Sequence, residues 1–273
     1  MIDLHSLLPG TVAAVRLAAE PVMARFQTRQ TVWDKDAERS VTGPSAGNPL
    51  SEADLLADEV LHQELTALLP GSGWLSEETV DSPDRLQRAA TWVVDPIDGT
   101  REYVDGVPEF AISVGLSIDG EVALAVLLNP AKEELYTAVR GAGARRDGEV
   151  LTASTRTDLT GAVLLASNTE MKRGEFAIFE DRMTLRPVGS TAYKLALLAS
   201  GEGDVYFTRK PRNEWDVAAG ILLCREAGAA VTDLGGSPHT FNRPDPLCRG
   251  VVSASTGLHA EVMSLIGEVG TLE

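Results

Sequence analysis

Cysteine is nearly absent from this 273-residue chain, which has only Cys224 and Cys248. Two are too few for a disulfide framework or a thiolate metal centre, so a reduced, cytoplasmic protein is expected. The four histidines, His5, His62, His239 and His259, are scattered, and none stands in a metal-ligand pattern. Positive charge is scarce: 24 Lys and Arg face 40 Asp and Glu, a formal net charge of -16. That balance argues against a nucleic-acid polymer as partner, because such binding rests on basic patches. No apolar run nears the ~18 residues of a membrane span. The N-terminus Met1-Ile2-Asp3 lacks the basic region of a signal peptide, so no membrane partner is expected. N-x-[ST] acceptors and internal repeats are also missing. What is present is an ordinary globular fraction of 44% hydrophobic residues, on a chain long enough for one large core or two compact lobes.

Periodicity places the elements. Val12, Val15, Ala19, Val22 and Phe26 predict a helix over the first ~28 residues, with Pro21 as a point of kinking. Residues 34–50, polar and rich in Gly and Pro, read as a loop. Ser51 then reads as an N-cap with Asp54 in the capping-box position, ahead of a helix carrying Leu61, Leu65 and Leu68. Strands are expected at 73–76 and 91–95. Phe110 to Ile118 and Val122 to Leu128 alternate about Asp119-Gly120, a strong hairpin signal, and 134–139 completes an antiparallel meander. The second half alternates strands at 162–166, 184–188, 204–207, 229–232 and 250–254 with helices at 174–181, 190–200 and 216–227 and a final helix through Leu258, Val262 and Leu265. The helix at 216–227 is apolar all round and must be buried on every side. These patterns predict an α+β protein of two lobes in one unit, residues 1–155 and 156–273.

Two glycine motifs fail on context. Gly43-Pro44-Ser45-Ala46-Gly47 fits G-x-S-x-G but sits in a polar loop with a proline, without the strand and helix of a nucleophile elbow. Gly141-Ala142-Gly143 has Arg146 where a dinucleotide fingerprint needs its third glycine.

The chemistry lies in three acidic clusters, each ending an apolar element. They are Glu77-Glu78 after Trp74-Leu75, Asp95-Pro96-Ile97-Asp98 after Trp92-Val93-Val94, and Glu214-Trp215-Asp216 at the start of the buried helix. A carboxylate at a core edge is costly unless it is paired or holds a cation. Oxygen ligands without His or Cys select hard cations, Mg²⁺ first. Pro96 fixes the backbone between Asp95 and Asp98 and Gly99 permits an unusual turn, so both carboxylates and the Ile97 carbonyl could face one site. The N–H groups of Gly99 and Thr100 would suit a phosphate. Each cluster could equally be a capped turn or a solvated pair, and spacing alone does not show that the three meet.

Asp95-Pro96-Ile97-Asp98-Gly99-Thr100 together with Trp215-Asp216-Val217-Ala218-Ala219-Gly220 resembles the paired signature of the inositol monophosphatase-like superfamily. Glu77-Glu78, Ser51-Glu52-Ala53-Asp54 and Gly189-Ser190 match further parts of that pattern, in order, over residues 49–230. The resemblance implies a layered αβαβα sandwich, commonly a homodimer, that hydrolyses phosphomonoesters with two or three Mg²⁺ ions and is often inhibited by Li⁺. It implies Glu77, Asp95, Asp98, Asp216 and the Ile97 carbonyl as metal ligands. It implies Asp54 and Thr100, with Glu77, as the residues that position or activate water.

Within the superfamily, Thr100-Arg101-Glu102-Tyr103, Glu109-Phe110, Lys194 after Gly189-Ser190, and the run with Arg209 and Glu214-Trp215-Asp216 resemble 3'(2'),5'-bisphosphate nucleotidases. The expected substrate is then adenosine 3',5'-bisphosphate, bound by Gly99, Thr100, Glu102, Ser190, Lys194 and Arg209, the two cations taking the phosphate that does not react. An inositol or sugar monophosphatase is the enzymatic alternative. A metal-binding regulatory protein without activity is the alternative from another class. Asn48-Pro49-Leu50-Ser51 departs from the basic segment the family carries before its helix.

Overall fold

Alternating side chains make each strand two-faced, and the arrangement of layers follows from which face finds which helix. The computed structural model describes residues 2–29, 31–35, 39–41 and 49–269. Among these, seven α-helices form: α1 (Leu4–Arg25), α2 (Glu52–Leu68), α3 (Thr100–Val104), α4 (Asn168–Lys172), α5 (Thr191–Ala199), α6 (Glu214–Glu226) and α7 (His259–Val269).

The meander is the middle of a seven-stranded sheet. In spatial order its strands are Glu149–Val150, Ala144–Arg146, Glu134–Val139, Glu121–Asn129, Ala111–Ile118, Ala90–Asp98 and Gly73–Ser76. All neighbours are antiparallel except the last pair, which is parallel. Asp119 and Gly120 both take positive φ, 55° and 80°, as a primed two-residue turn requires. Trp92 and Val94 point to α1 and α2, whereas Val93 between them points to α5 and α6.

A five-stranded sheet follows in the order Met183–Pro187, Ala162–Ala166, Val205–Thr208, Val251–Ser255 and Ala229–Thr232. Leu165, Tyr206 and Val251 join the core around α5 and α6. Leu164, Val205, Phe207 and Val252 face outward against Phe176, Phe179 and α7. The layers are therefore α1/α2, large sheet, α5/α6, small sheet, α7: the expected αβαβα sandwich. Helix α6 lies between two sheets and buries Val217 through Cys224, which explains its lack of a polar face. Gly220 lets it touch α5: a Cβ there would stand 2.5 Å from Leu195 Cβ.

Helix α1 has the length and hydropathy of a membrane span, which counting uninterrupted apolar residues does not reveal. Its buried face, from Leu7 through Val15 to Val22, packs on α2 and the large sheet. The helix expected at 174–181 is instead a 3₁₀ turn, Ala177–Phe179, behind the short α4. Phe176 and Phe179, three apart, both enter the outer core, a spacing that a 3₁₀ turn serves. The segment 34–50 is not simply a loop. Val32–Asp34 pairs with Arg39–Val41 on one side and Pro49–Ser51 on the other. Buried Val32 anchors that small sheet. The G-x-S-x-G stretch at 43–47 lies outside the described residues.

Candidate metal and phosphate site

The carboxylates stand where strands stop and helices begin. The Ser76 end of Gly73–Ser76 and the Asp98 end of Ala90–Asp98 lie side by side because those strands are parallel, and the Glu77 amide donates to the Val94 carbonyl (3.2 Å). Pro96 has no N–H for the ladder, and the register to Ala111–Ile118 slips between Asp95 and Asp98. Gly99 follows with φ 95°, and α3 starts. A Cβ at Gly99 would also crowd the Glu109 carbonyl at 3.1 Å, so the tight turn needs glycine twice over.

Across the cleft, α6 starts with a capping box between Asn213 and Asp216. One oxygen each from Glu77, Asp95 and Asp216 lies within 4.8 Å of the others. The sequence clusters do converge. Burial, together with Glu77, Asp98 and Asp216, holds the Asp95 carboxyl well above the usual carboxylate range. Burial with Asp98 and Glu77 does the same to Asp216. Three acids at this spacing, Asp95 buried and Glu77 and Asp216 half-buried, repel one another unless a cation sits among them. An all-oxygen set fits a hard divalent ion such as Mg²⁺.

Asp98 plays a different part. Its Oδ2 accepts from the Ser190 hydroxyl and from the Ala192 amide (2.5 Å), which ties α5 to the strand end. Ser190 adopts φ 56° and caps α5 by accepting from the Tyr193 amide (2.9 Å). Asp54 lies behind the cleft. Its Oδ2 accepts from the Ser51 amide (2.8 Å) and hydroxyl (2.6 Å), and Thr100 Oγ1 stands 3.0 Å from its Oδ1 and 3.0 Å from the Ile97 carbonyl. Burial pushes the Asp54 carboxyl up to about 6, against the hydrogen bonds from Ser51.

These groups line a cleft of about 300 Å³, into which α3, α5 and α6 all present their N-termini. Glu77, Asp95, Ile97, Asp98 and Asp216 line it, as do Gly99, Thr100, Glu102, Ser190 and Lys194. One expected cation is placed otherwise than the sequence suggests. Arg209 is not part of the lining, and its guanidinium donates to the Glu175 carbonyl (3.4 Å). The chain turns after Thr208, and Arg212, in the short strand leading into α6, takes the cleft position. Its place four residues before Asp216 was the available signal. Lys194 reaches the cleft from a buried helix: it is 3% exposed, donates to the Val188 carbonyl (3.2 Å), and burial lowers its ammonium to about 8. Arg101 and Lys35 also escape sequence reasoning. Arg101 lines the cleft beside Thr169. Lys35 bridges Glu77 (2.8 Å) and Glu78 (2.6 Å).

A family model described as the inositol monophosphatase family matches residues 3–270. The chain is 37% identical over 245 residues to an inositol-1-monophosphatase of Rhizobium meliloti, covering 85% of this chain and 88% of that protein. It is 32% identical over 242 residues to Nus factor SuhB of Escherichia coli, covering 85% and 87%. A solved structure described as a Thermotoga maritima IMPase superposes with a TM-score of 0.82 at 26% identity, covering 96% of this chain and 97% of that one.

Proposed function

The chain belongs to the inositol monophosphatase family, whose members are in general Mg²⁺-dependent phosphatases, and we propose that it hydrolyses a phosphomonoester bearing a second anionic group, with adenosine 3',5'-bisphosphate giving AMP and phosphate. The observation that carries this reading is the composition of the cleft. One end gathers Glu77, Asp95 and Asp216, and the lining also includes the cations Arg101, Lys194 and Arg212.

In this reading Glu77, Asp95, Asp98, Asp216 and the Ile97 carbonyl would hold the two or three Mg²⁺ ions. When bound, Mg²⁺ offsets the charge of the phosphoryl oxygens and acidifies water. The chain's own groups do the rest. Thr100 Oγ1 orients the attacking water, takes up its proton and passes its own hydroxyl proton to Asp54 Oδ1. The water oxygen bonds to phosphorus, the P–O3' bond breaks, and O3' leaves as the alcohol, taking its proton from solvent water. The amides at the starts of α3 and α5 offer N–H donors to phosphate oxygens. Arg212 and Lys194 hold the phosphate that stays.

Inositol 1-phosphate is the second reading, favoured by the R. meliloti relative that is described as an inositol-1-monophosphatase. Phosphate release from both substrates with Mg²⁺, for wild type and Arg212→Met, separates the two. A charge-assisted hydrogen bond to a buried guanidinium contributes about 1.5–3 kcal/mol. Arg212→Met should therefore lower kcat/KM for the bisphosphate about 10- to 100-fold and leave inositol 1-phosphate within about twofold. An equal loss on both substrates would remove the second-anion role and leave the monophosphatase reading.

A further inference from the structure

Helix α2 carries two buried carboxylates one turn apart, and the site described above uses only the first. Asp54 faces Ser51 and Thr100. Asp58, four residues on and 8% exposed, faces the loop that carries Glu77. Its Oδ1 accepts from the Ser76 hydroxyl (2.5 Å) and its Oδ2 from the Thr79 hydroxyl (2.6 Å). Asp58 therefore grips the residue before Glu77 and the residue two after it. Thr79 is held a second time by the Trp74 indole N–H (3.3 Å), and the Ser76 oxygen also accepts from the Glu78 amide (3.4 Å). The Glu77 amide is fixed separately on the Val94 carbonyl (3.2 Å).

Among the described residues no Lys, Arg or His pairs with Asp58. A buried carboxylate served only by two hydroxyls is an expensive way to hold a loop, because it must be desolvated without a partner cation. Loop stability alone does not account for it. The spacing does: both oxygens are engaged, one on each side of Glu77, so the backbone that carries Glu77 is held from both sides, while Lys35 contacts its carboxylate at 2.8 Å.

We propose that Asp58 is a positioning residue for the cation site, acting through Ser76 and Thr79 to aim Glu77. This rests on the reading of Glu77, Asp95 and Asp216 as that site. Groups bonded directly to a metal ligand typically set metal affinity by 10- to 100-fold, and Asp58, which acts through the residues on either side of Glu77, is expected at the lower end of that range.

Calorimetric titration of the full-length protein with Mg²⁺ alone tests it, beside melting curves in chelator. Asp58→Asn is isosteric and keeps one acceptor oxygen, but its amide nitrogen cannot accept the second hydroxyl proton. It should weaken Mg²⁺ binding about tenfold. Thr79→Val and Ser76→Ala each remove one grip and should shift the affinity in the same direction by less, which keeps the test decisive if Asp58→Asn does not fold. Unchanged Mg²⁺ affinity in the variants, with or without a lower melting temperature in chelator, overturns the proposal and leaves Asp58 a structural residue. A wild type that binds no Mg²⁺ overturns the cation site itself, a result distinct from a wild type that binds and variants that bind equally well.

Discussion

Asp95→Asn should abolish turnover and at the same time raise the melting temperature of the metal-free protein. Asp95 is 1% exposed, and its carboxyl is held far above the usual range by burial and by Glu77, Asp98 and Asp216. Ionised and without a cation, it is a buried charge among like charges. Asparagine has the same shape, and its Oδ1 can still accept the Ile97 amide that now donates to Asp95 at 3.0 Å. The variant thus keeps the turn and discards the repulsion. Relief on the order of 1–3 kcal/mol is expected, or about 3–10 °C for a chain of this size. The catalytic loss goes the other way. Removing an anionic ligand forfeits several kcal/mol of transition-state stabilisation, a factor of about 10³ or more. Phosphate release at saturating Mg²⁺ and calorimetric melting in chelator measure the two effects. Retained activity would sink the ligand assignment. A melting temperature that falls with activity would instead make Asp95 a structural acid. The opposition of the two effects is the signature of a site that costs the fold stability for its chemistry.

Without metal the protein should lose stability as pH rises, and Mg²⁺ should cancel that slope. Asp54, Asp95 and Asp216 are all raised by burial, Asp54 to about 6 from 3.8. A carboxyl whose folded value lies above its unfolded value keeps its proton longer in the folded state. The folded state then binds more protons than the unfolded one, and stability falls with increasing pH. The contribution is fully present below the unfolded value near 4 and is lost through about 6 for Asp54, and higher for the other two. Asp54 alone corresponds to about 3 kcal/mol. Mg²⁺ binds the ionised carboxylates and so competes with their protons. At a hundred times its Kd it adds about 2.7 kcal/mol, and more at pH 8 than at pH 6. Melting curves at pH 6, 7 and 8, in chelator and in excess Mg²⁺, should diverge toward pH 8. A metal-free melting temperature that rises from pH 6 to pH 8, or curves that Mg²⁺ leaves in place, would contradict the cation site.

Much of this protein could be read locally. The capping box of Ser51 and Asp54 is a pattern over four residues, and it forms as read. The Asp119-Gly120 turn needs only two residues able to take positive φ. Strands 134–139 and 162–166 form where read, the second as the continuous apolar run of a strand covered on both faces. The 174–181 segment did not form a helix because Phe176 and Phe179 answer to a core built by other parts of the chain. Propensity within the segment carries no record of that core.

The candidate site divides along the same line. The sequence by itself determined which carboxylates stand at the ends of apolar elements, since that is a property of neighbours along the chain. It also determined, through Pro96 and Gly99, that the chain must break its ladder between Asp95 and Asp98. Only the tertiary structure decided that Glu77, Asp95 and Asp216 meet within one ion's reach, that one oxygen of Asp98 holds the start of α5, and that Arg212 rather than Arg209 enters the cleft. It alone shows Lys194 buried and Asp58 gripping both sides of Glu77. The physical reason is that the cost of a charge depends on what lies within a few ångströms through space. That distance is fixed by the packing of two sheets about α5 and α6, which no local pattern encodes.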